Sequence, residues 1–446
     1  MLKKFLSTGI FLLATACATP PSTEPPPPVV FVHGNGDTAA LWITTLWRFE
    51  SNGWPRDRLF ALDAPYPLAR ADDAKAQEGR SSTAEHMAYL AAEVERARKL
   101  TGAERVVLVG NSRGGNAIRN YVRNGGGAKT VSHAVLGGTP NHGVWNTPEY
   151  LPGSEFNGAS PFLKALNSPQ GVSGLEVTPG VKFLTLRSDG LDKFTQPEGN
   201  WIGQPKLKTN VTHDGPALKG AENVVLAGRD HRETSFDPEA FAQTYLFITG
   251  RPGRTDIDVQ QAPVLNGRIT GFRGNDQTNL PLAGATLEVY EVSPQTGERS
   301  GPPLHVKTVG ADGQWGPFTG RQGVHYEFAI TAEGFAVTHI YRSPFPRSSD
   351  LVHMRPARIA DADKAAGGSL VAMSRPRGYF GVGRDRMSLD GFAPPGIAAG
   401  VPGLSVSRIR INEPMRSVEA EFNGEKIVVR SWPAQENHAV IAEFHY

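Results

Sequence analysis

Between residue 29 and about residue 250, short apolar, β-branched runs alternate with stretches whose apolar positions recur at helical spacing. Val29-Val30-Phe31-Val32 reads as a buried strand, and residues 105–109, 134–136, 181–186 and 223–227 read as four more. Residues 83–100 carry Met87, Leu90 and Val94 on one face, which predicts an amphipathic helix. Further helices are expected over 116–124 and 238–248. This alternation predicts an α/β fold, a mostly parallel sheet with helices on both faces. Past residue 250 the pattern changes. Arg251-Pro252-Gly253-Arg254 breaks the last helix, and the remainder reads as strands separated by Gly, Pro, Asn and Asp. One or two small all-β sandwich domains are expected there, over 264–355 and 356–446.

A chain of 446 residues has room for two or three such domains. Its 46 basic and 44 acidic residues are well mixed, so there is no basic stripe for nucleic acid. The N-terminus changes the picture more. Met1-Leu2-Lys3-Lys4 and the apolar run from Phe5 to Ala16 form the charged and apolar regions of a secretory signal, too short to span a bilayer. The run ends in Leu13-Ala14-Thr15-Ala16-Cys17, which resembles a bacterial lipobox. Lipidation of Cys17 would anchor an exported protein to the outer membrane or cell surface, and residues 18–28 would be a stiff Pro-rich tether. Cys17 is the sole cysteine, so no intrachain disulfide is available.

Gly110-Asn111-Ser112-Arg113-Gly114 lies directly after the second predicted strand and before a predicted helix. In that context G-x-S-x-G reads as a nucleophile elbow, with Ser112 lifted out of the sheet on a tight turn. Attack by a serine on an ester or amide needs donors for the tetrahedral oxyanion. The backbone N–H of Arg113 is one candidate, and that of Asn35, in the glycine-rich His33-Gly34-Asn35-Gly36-Asp37 loop after the first strand, is the other. The hydroxyl also needs a histidine to take its proton and a carboxylate to orient that histidine. His231, in Ala227-Gly228-Arg229-Asp230-His231 after the fifth strand, is the expected base, with His213 its main competitor. The loop after the fourth strand offers Asp189 and Asp192 as the acid. No metal or organic cofactor is implied.

Residues 29–250 resemble the α/β-hydrolase superfamily, and within it the lipase branch. Gly137-Gly138-Thr139-Pro140-Asn141-His142-Gly143 is similar to a turn that lipases carry after the strand following the nucleophile helix, and Phe49-Glu50-Ser51-Asn52-Gly53-Trp54 to their first helix and its exit. The resemblance implies a triad in the order Ser112, Asp192, His231, since Phe194 and Pro197 follow Asp192 as an apolar anchor and a proline do in related enzymes; Asp189 stays open. It also implies an acyl-enzyme and an ester substrate, lipid or polyester. The same triad serves acyltransferases and peptidases, and a binding lipoprotein with an inactive core is the competing class. Residues 144–180, with Trp145, Tyr150, Phe156 and Phe162, sit where a lid or acyl-binding insertion would go. Residues 264–355 resemble the transthyretin-like, carboxypeptidase-regulatory type of β-sandwich: strand-like runs at 264–271, 284–290 and 326–330 accompany the turn Ala311-Asp312-Gly313-Gln314-Trp315. Oligomeric state is not legible.

Overall fold

Val29–Val32 (β1) is buried along its whole length, because parallel neighbours flank it and helices cover both its faces. The neighbours are Leu59–Leu62 (β2) and Val106–Asn111 (β3). Val131–Gly137 (β4), Lys182–Ser188 (β5) and Glu222–Leu226 (β6) complete a parallel six-stranded sheet in the order β2-β1-β3-β4-β5-β6. The computed structural model describes residues 25–170 and 174–446. Cys17, the signal sequence and most of the Pro-rich tether lie outside the described residues.

Alternate residues of β1 serve opposite cores, as the period of a strand requires. Val29 and Phe31 pack with Leu46 and Phe49 of Ile43–Ser51 (α1) and Phe241 of Pro238–Thr249 (α4). Val30 and Val32 pack with Leu90 and Val94 of Thr83–Thr101 (α2) and Ile118 of Arg113–Asn124 (α3). α2 starts at a capping box in which Ser82 and Glu85 satisfy each other's backbone N–H. α3 begins at Arg113, three residues before the start expected from sequence. β2 is absent from the sequence expectation: four residues behind a short 3-10 turn at Arg56–Arg58 give too little period to register.

After a two-residue strand at Val264–Leu265, which pairs with Phe318–Thr319, the C-terminal half forms a hairpin, Thr270–Arg273 (β7) and Asp276–Pro281 (β8). Then come Thr286–Val292 (β9), His305–Thr308 (β10), His325–Thr331 (β11) and Val337–Arg342 (β12). Ser369–Ser374 (β13), Met387–Leu389 (β14), Val406–Ile411 (β15), Ser417–Phe422 (β16), Glu425–Arg430 (β17) and His438–Glu443 (β18) follow. Seven of them form one sheet in the order β10-β9-β11-β12-β18-β13-β15, and β14-β16-β17 form a smaller one. β18, last in the chain, lies parallel between β12 and β13. The division expected near residue 356 therefore falls inside a continuous sheet, because the final strand joins the two stretches.

This half is also packed onto the first. Leu265, Ile269, Trp315, Phe328 and Phe345 share a core with Trp47 of α1. The Trp47 indole N–H donates to Ser348 O at 2.9 Å. His353 meets Asp63, on the loop after β2, at 2.8 Å.

Candidate active site

Leaving β3, the chain reverses at Ser112 with φ 53° and ψ −122°, a backbone conformation that costs an L-residue about 1–3 kcal/mol. The surroundings enforce it. A Cβ on Gly114 would lie 2.3 Å from Val32 O, and one on Gly34 would lie 2.9 Å from Asn111 Oδ1. The first turn of α3 and the loop after β1 thus press together only because both positions are glycine. The Ser112 N–H donates to Gly137 O at 2.9 Å, and the Asn111 side-chain amide donates to Ser235 Oγ at 2.8 Å, tying the elbow to β4 and to the segment after His231.

The two expected oxyanion donors are both uncommitted. Among the described residues, neither the Asn35 N–H nor the Arg113 N–H donates to a protein acceptor. The Asn35 side chain is occupied elsewhere, with Oδ1 accepting from Ala69 N–H at 2.7 Å. His33 shapes the same loop: Nε2 accepts from Ala64 N–H at 3.1 Å, leaving Nδ1–H to donate to Gly34 O at 2.8 Å. The Asn279 amide of β8 donates to Asp37 O and Ala64 O, both at 3.0 Å, so a C-terminal residue braces the loop from outside. The Arg113 side chain, fully buried, pairs with Glu155 at 2.8 Å and donates to Ser81 O and Pro67 O. Burial pushes the Glu155 carboxyl up, against the pull of Arg113.

His231 and Asp192 meet although 39 residues separate them: His231 Nδ1–H donates to Asp192 Oδ2 at 2.7 Å, and both residues are buried. The other oxygen, Asp192 Oδ1, accepts from Phe194 N–H at 2.7 Å, and the Phe194 ring lies edge-on to the imidazole at 4.5 Å. Asp189 instead accepts from Gly228 N–H at 2.9 Å, on the exit of β6. His213 lines a neighbouring cavity that contains Asp192 but neither Ser112 nor His231.

A cavity of about 190 Å³ gathers Asn35, Ser112 and His231 with an apolar wall of Val144, Trp145, Phe156, Phe194, Ile202 and Tyr379. Of the 144–180 segment, Trp145 and Phe156 reach this cavity, while Tyr150 packs behind Trp145 at 5.4 Å. Among the described residues no hydrogen bond joins Ser112 Oγ to His231, a looseness common in nucleophile–base pairs before the reacting complex forms. Among the described residues there is also no cluster of His, Cys, Asp and Glu that could hold a metal ion.

Sequence reasoning missed the support behind His231. Asp230, wholly buried, accepts from Arg375 at 3.1 Å and from the Tyr379 N–H at 2.7 Å. Glu233 is held by Arg375 and, at 2.8 Å, by Arg384. Burial and the neighbouring Asp230 push the Glu233 carboxyl up, and the two guanidiniums oppose them. Tyr379 itself is buried, and burial pushes its phenol up to about 12, so the ring is neutral in use. Nothing in the sequence links Arg375, Tyr379 and Arg384 to a histidine more than 140 positions earlier.

Residues 27–158 match the family model described as alpha/beta hydrolase fold, and residues 261–359 the one described as lipase C-terminal domain. A non-heme haloperoxidase of Rhodococcus erythropolis is 28% identical over 191 residues, which are 42% of this chain and 63% of that enzyme. Among solved structures, Aspergillus fumigatus lipase B is similar over 52% of this chain and 54% of its own, at 16% identity and a TM-score of 0.35. Bacillus licheniformis lipase BlEst2 in its propeptide form is similar over 93% of this chain and 95% of its own, at 13% identity and a TM-score of 0.35.

Proposed function

We propose that this chain, which joins an α/β-hydrolase domain to a lipase C-terminal domain, is a serine carboxylic-ester hydrolase working through an acyl-enzyme. The observation that carries this reading is a buried His231–Asp192 pair at 2.7 Å whose imidazole faces the same small cavity as the strained Ser112. Ser112 Oγ attacks the ester carbonyl as His231 Nε2 takes its proton, and a bond forms between Oγ and the acyl carbon. The carbonyl oxygen becomes the oxyanion, held by the N–H groups of Asn35 and Arg113 at the start of α3. Collapse breaks the bond to the alcohol oxygen, which receives the proton from His231. Water, deprotonated by the same imidazole, then attacks the acyl carbon; collapse breaks the bond to Ser112 Oγ, which takes the proton back from His231, and the acid leaves. Asp192 keeps Nδ1 protonated throughout and stabilises the imidazolium.

The apolar wall of the cavity suits esters with an apolar part, and polyesters are one such class. The lysines at 3 and 4, the apolar run and Cys17 support export and lipid anchoring at the cell surface. The decisive experiment treats the protein lacking residues 1–17 with a fluorophosphonate, reads the labelled peptide by mass spectrometry, and assays p-nitrophenyl esters from acetyl upward. Labelling confined to Ser112, with turnover lost in Ser112→Ala while the fold is retained, is the expected result. An unlabelled Ser112 with undiminished esterase activity would sink the assignment.

A further inference from the structure

Part of the wall of the cavity that holds His231 comes from the far end of the chain, beside the Phe194 ring at 4.5 Å from the imidazole. Tyr379 follows β13, lies outside the stretch matched by the lipase C-terminal domain, and lines the cavity beside Ser112 and His231. Two cations stand against its ring: Lys193 Nζ lies 4.8 Å from its centroid and the Arg232 guanidinium 5.1 Å. Those two cations directly follow Asp192 and His231 in the sequence. The backbone is equally committed, with the Tyr379 N–H on Asp230 and its carbonyl accepting from Arg375 at 2.9 Å and Arg384 at 2.7 Å. Ring and backbone are thus clamped to the acid and base loops, whereas among the described residues the hydroxyl has no hydrogen-bond partner.

We infer that Tyr379 is a specificity-determining residue for the alcohol portion of the ester, an inference that rests on the ester-hydrolase reading above. In acylation the imidazole must stand beside the departing oxygen, because it delivers the proton there. A wall clamped to the two residues that follow the acid and base therefore bounds the alcohol, while Val144, Trp145 and Phe156, on the segment after β4, bound the acyl group. A cavity of about 190 Å³ lies below the usual range for small-molecule sites, so a fixed ring on one side excludes bulky alcohols.

The test compares phenyl acetate with 1-naphthyl acetate, which differ in the alcohol and give the same acetyl-enzyme. Tyr379→Ala should raise the naphthyl-to-phenyl ratio of kcat/KM by about tenfold, on the scale of a changed pocket contact. Tyr379→Trp should lower it, and Tyr379→Phe, which keeps the ring, should restore the wild-type ratio. The acetate-to-butyrate ratio for one alcohol, and the rate of deacylation after acetyl transfer, should stay put, which a general loosening of the site would not allow. A small fluorophosphonate separates the two claims. Failure to label Ser112 in the wild-type protein overturns the ester-hydrolase reading itself. Labelled protein in which the alcohol ratio does not move, or moves together with the acyl ratio, overturns the role of Tyr379 alone. Should the alanine variant fail to fold and to label, the tryptophan variant decides by the same ratio.

Discussion

At Ser112 a backbone cost of about 1–3 kcal/mol is carried by a residue whose side chain, among the described residues, has no hydrogen bond to offset it. Such strain is retained where position matters more than stability, and here it places Ser112 in the lining of the cavity. The same logic makes Asp192 testable. Its carboxylate accepts from both His231 Nδ1–H and Phe194 N–H. Asp192→Asn keeps the shape but offers Nδ1 an amide that favours the other tautomer; kcat should fall by about 10⁴ while Ser112 still binds inhibitor. A loss under tenfold would mean that the carboxylate does not set the tautomer. Ser112 and His231, which the fold brings to one cavity, were picked out from sequence by local signals: a G-x-S-x-G between strand and helix, and a histidine just beyond a strand. Asp192 was favoured over Asp189 only through the family resemblance, by the Phe194 and Pro197 that follow it, not by spacing. Ser188 Oγ accepts from the N–H groups of Gly190 and Leu191, and this turn sends Asp189 to the β6 exit and Asp192 inward. Spacing alone does not encode which way such a turn rolls.

The site is an agreement between two elements, the start of α3 and the loop after β1, and each half can be perturbed separately. Adding one methyl at Gly114 drives it into Val32 O, a rigid backbone atom of β1. Gly114→Ala should lower stability by about 3 kcal/mol or more, read as a fall in the denaturant midpoint. An unchanged midpoint would show that the loop can retreat, contrary to the packing seen. Asn279 acts on the other half, closing its amide onto Asp37 O and Ala64 O. Asn279→Ala leaves those carbonyls unpaired and the Asn35 N–H less firmly aimed, so kcat should fall about tenfold with little change in KM, the pattern of a contact made in the transition state. A rise in KM alone would assign Asn279 to substrate binding instead. The strands and helices that set this geometry were mostly visible as apolar runs, with β2 the exception. The hairpin carrying Asn279 gave no sign of its partner, because a brace between loops leaves no periodicity in either.

Over the whole molecule a shared core and polar ties join the two halves, so they should unfold as one body. Trp47, Phe345 and Trp315 belong to a single buried cluster, and β18 closes the C-terminal sheet only at the chain's end. The sequence could mark the change from α/β to all-β near residue 250, but not that the second half would return Arg375 and Tyr379 to His231, since tertiary contacts of that separation have no local signature. The Asp63–His353 pair tests the coupling through pH. Both side chains are largely buried, and they bridge the loop after β2 to the C-terminal half. Burial opposes ionisation of Asp63, but His353 and the Ala39 N–H at 2.7 Å outweigh it and hold the carboxyl well below the ordinary carboxylate range. A carboxyl depressed by folding stabilises the folded state fully above its unfolded pKa of about 4 and progressively less as pH falls below that value. His353 Nδ1 accepts from the Arg268 N–H at 3.0 Å, so Nε2–H is the donor to Asp63; at neutral pH, Asp63→Asn should therefore lose about 1.5–3 kcal/mol, the scale of a hydrogen bond to a charged group, and the gap to wild type should narrow steadily in acid. Denaturant unfolding across that pH range gives the gap directly; a gap that stays constant from neutral to acid pH would show that Asp63 works through packing and its hydrogen bonds rather than through its charge.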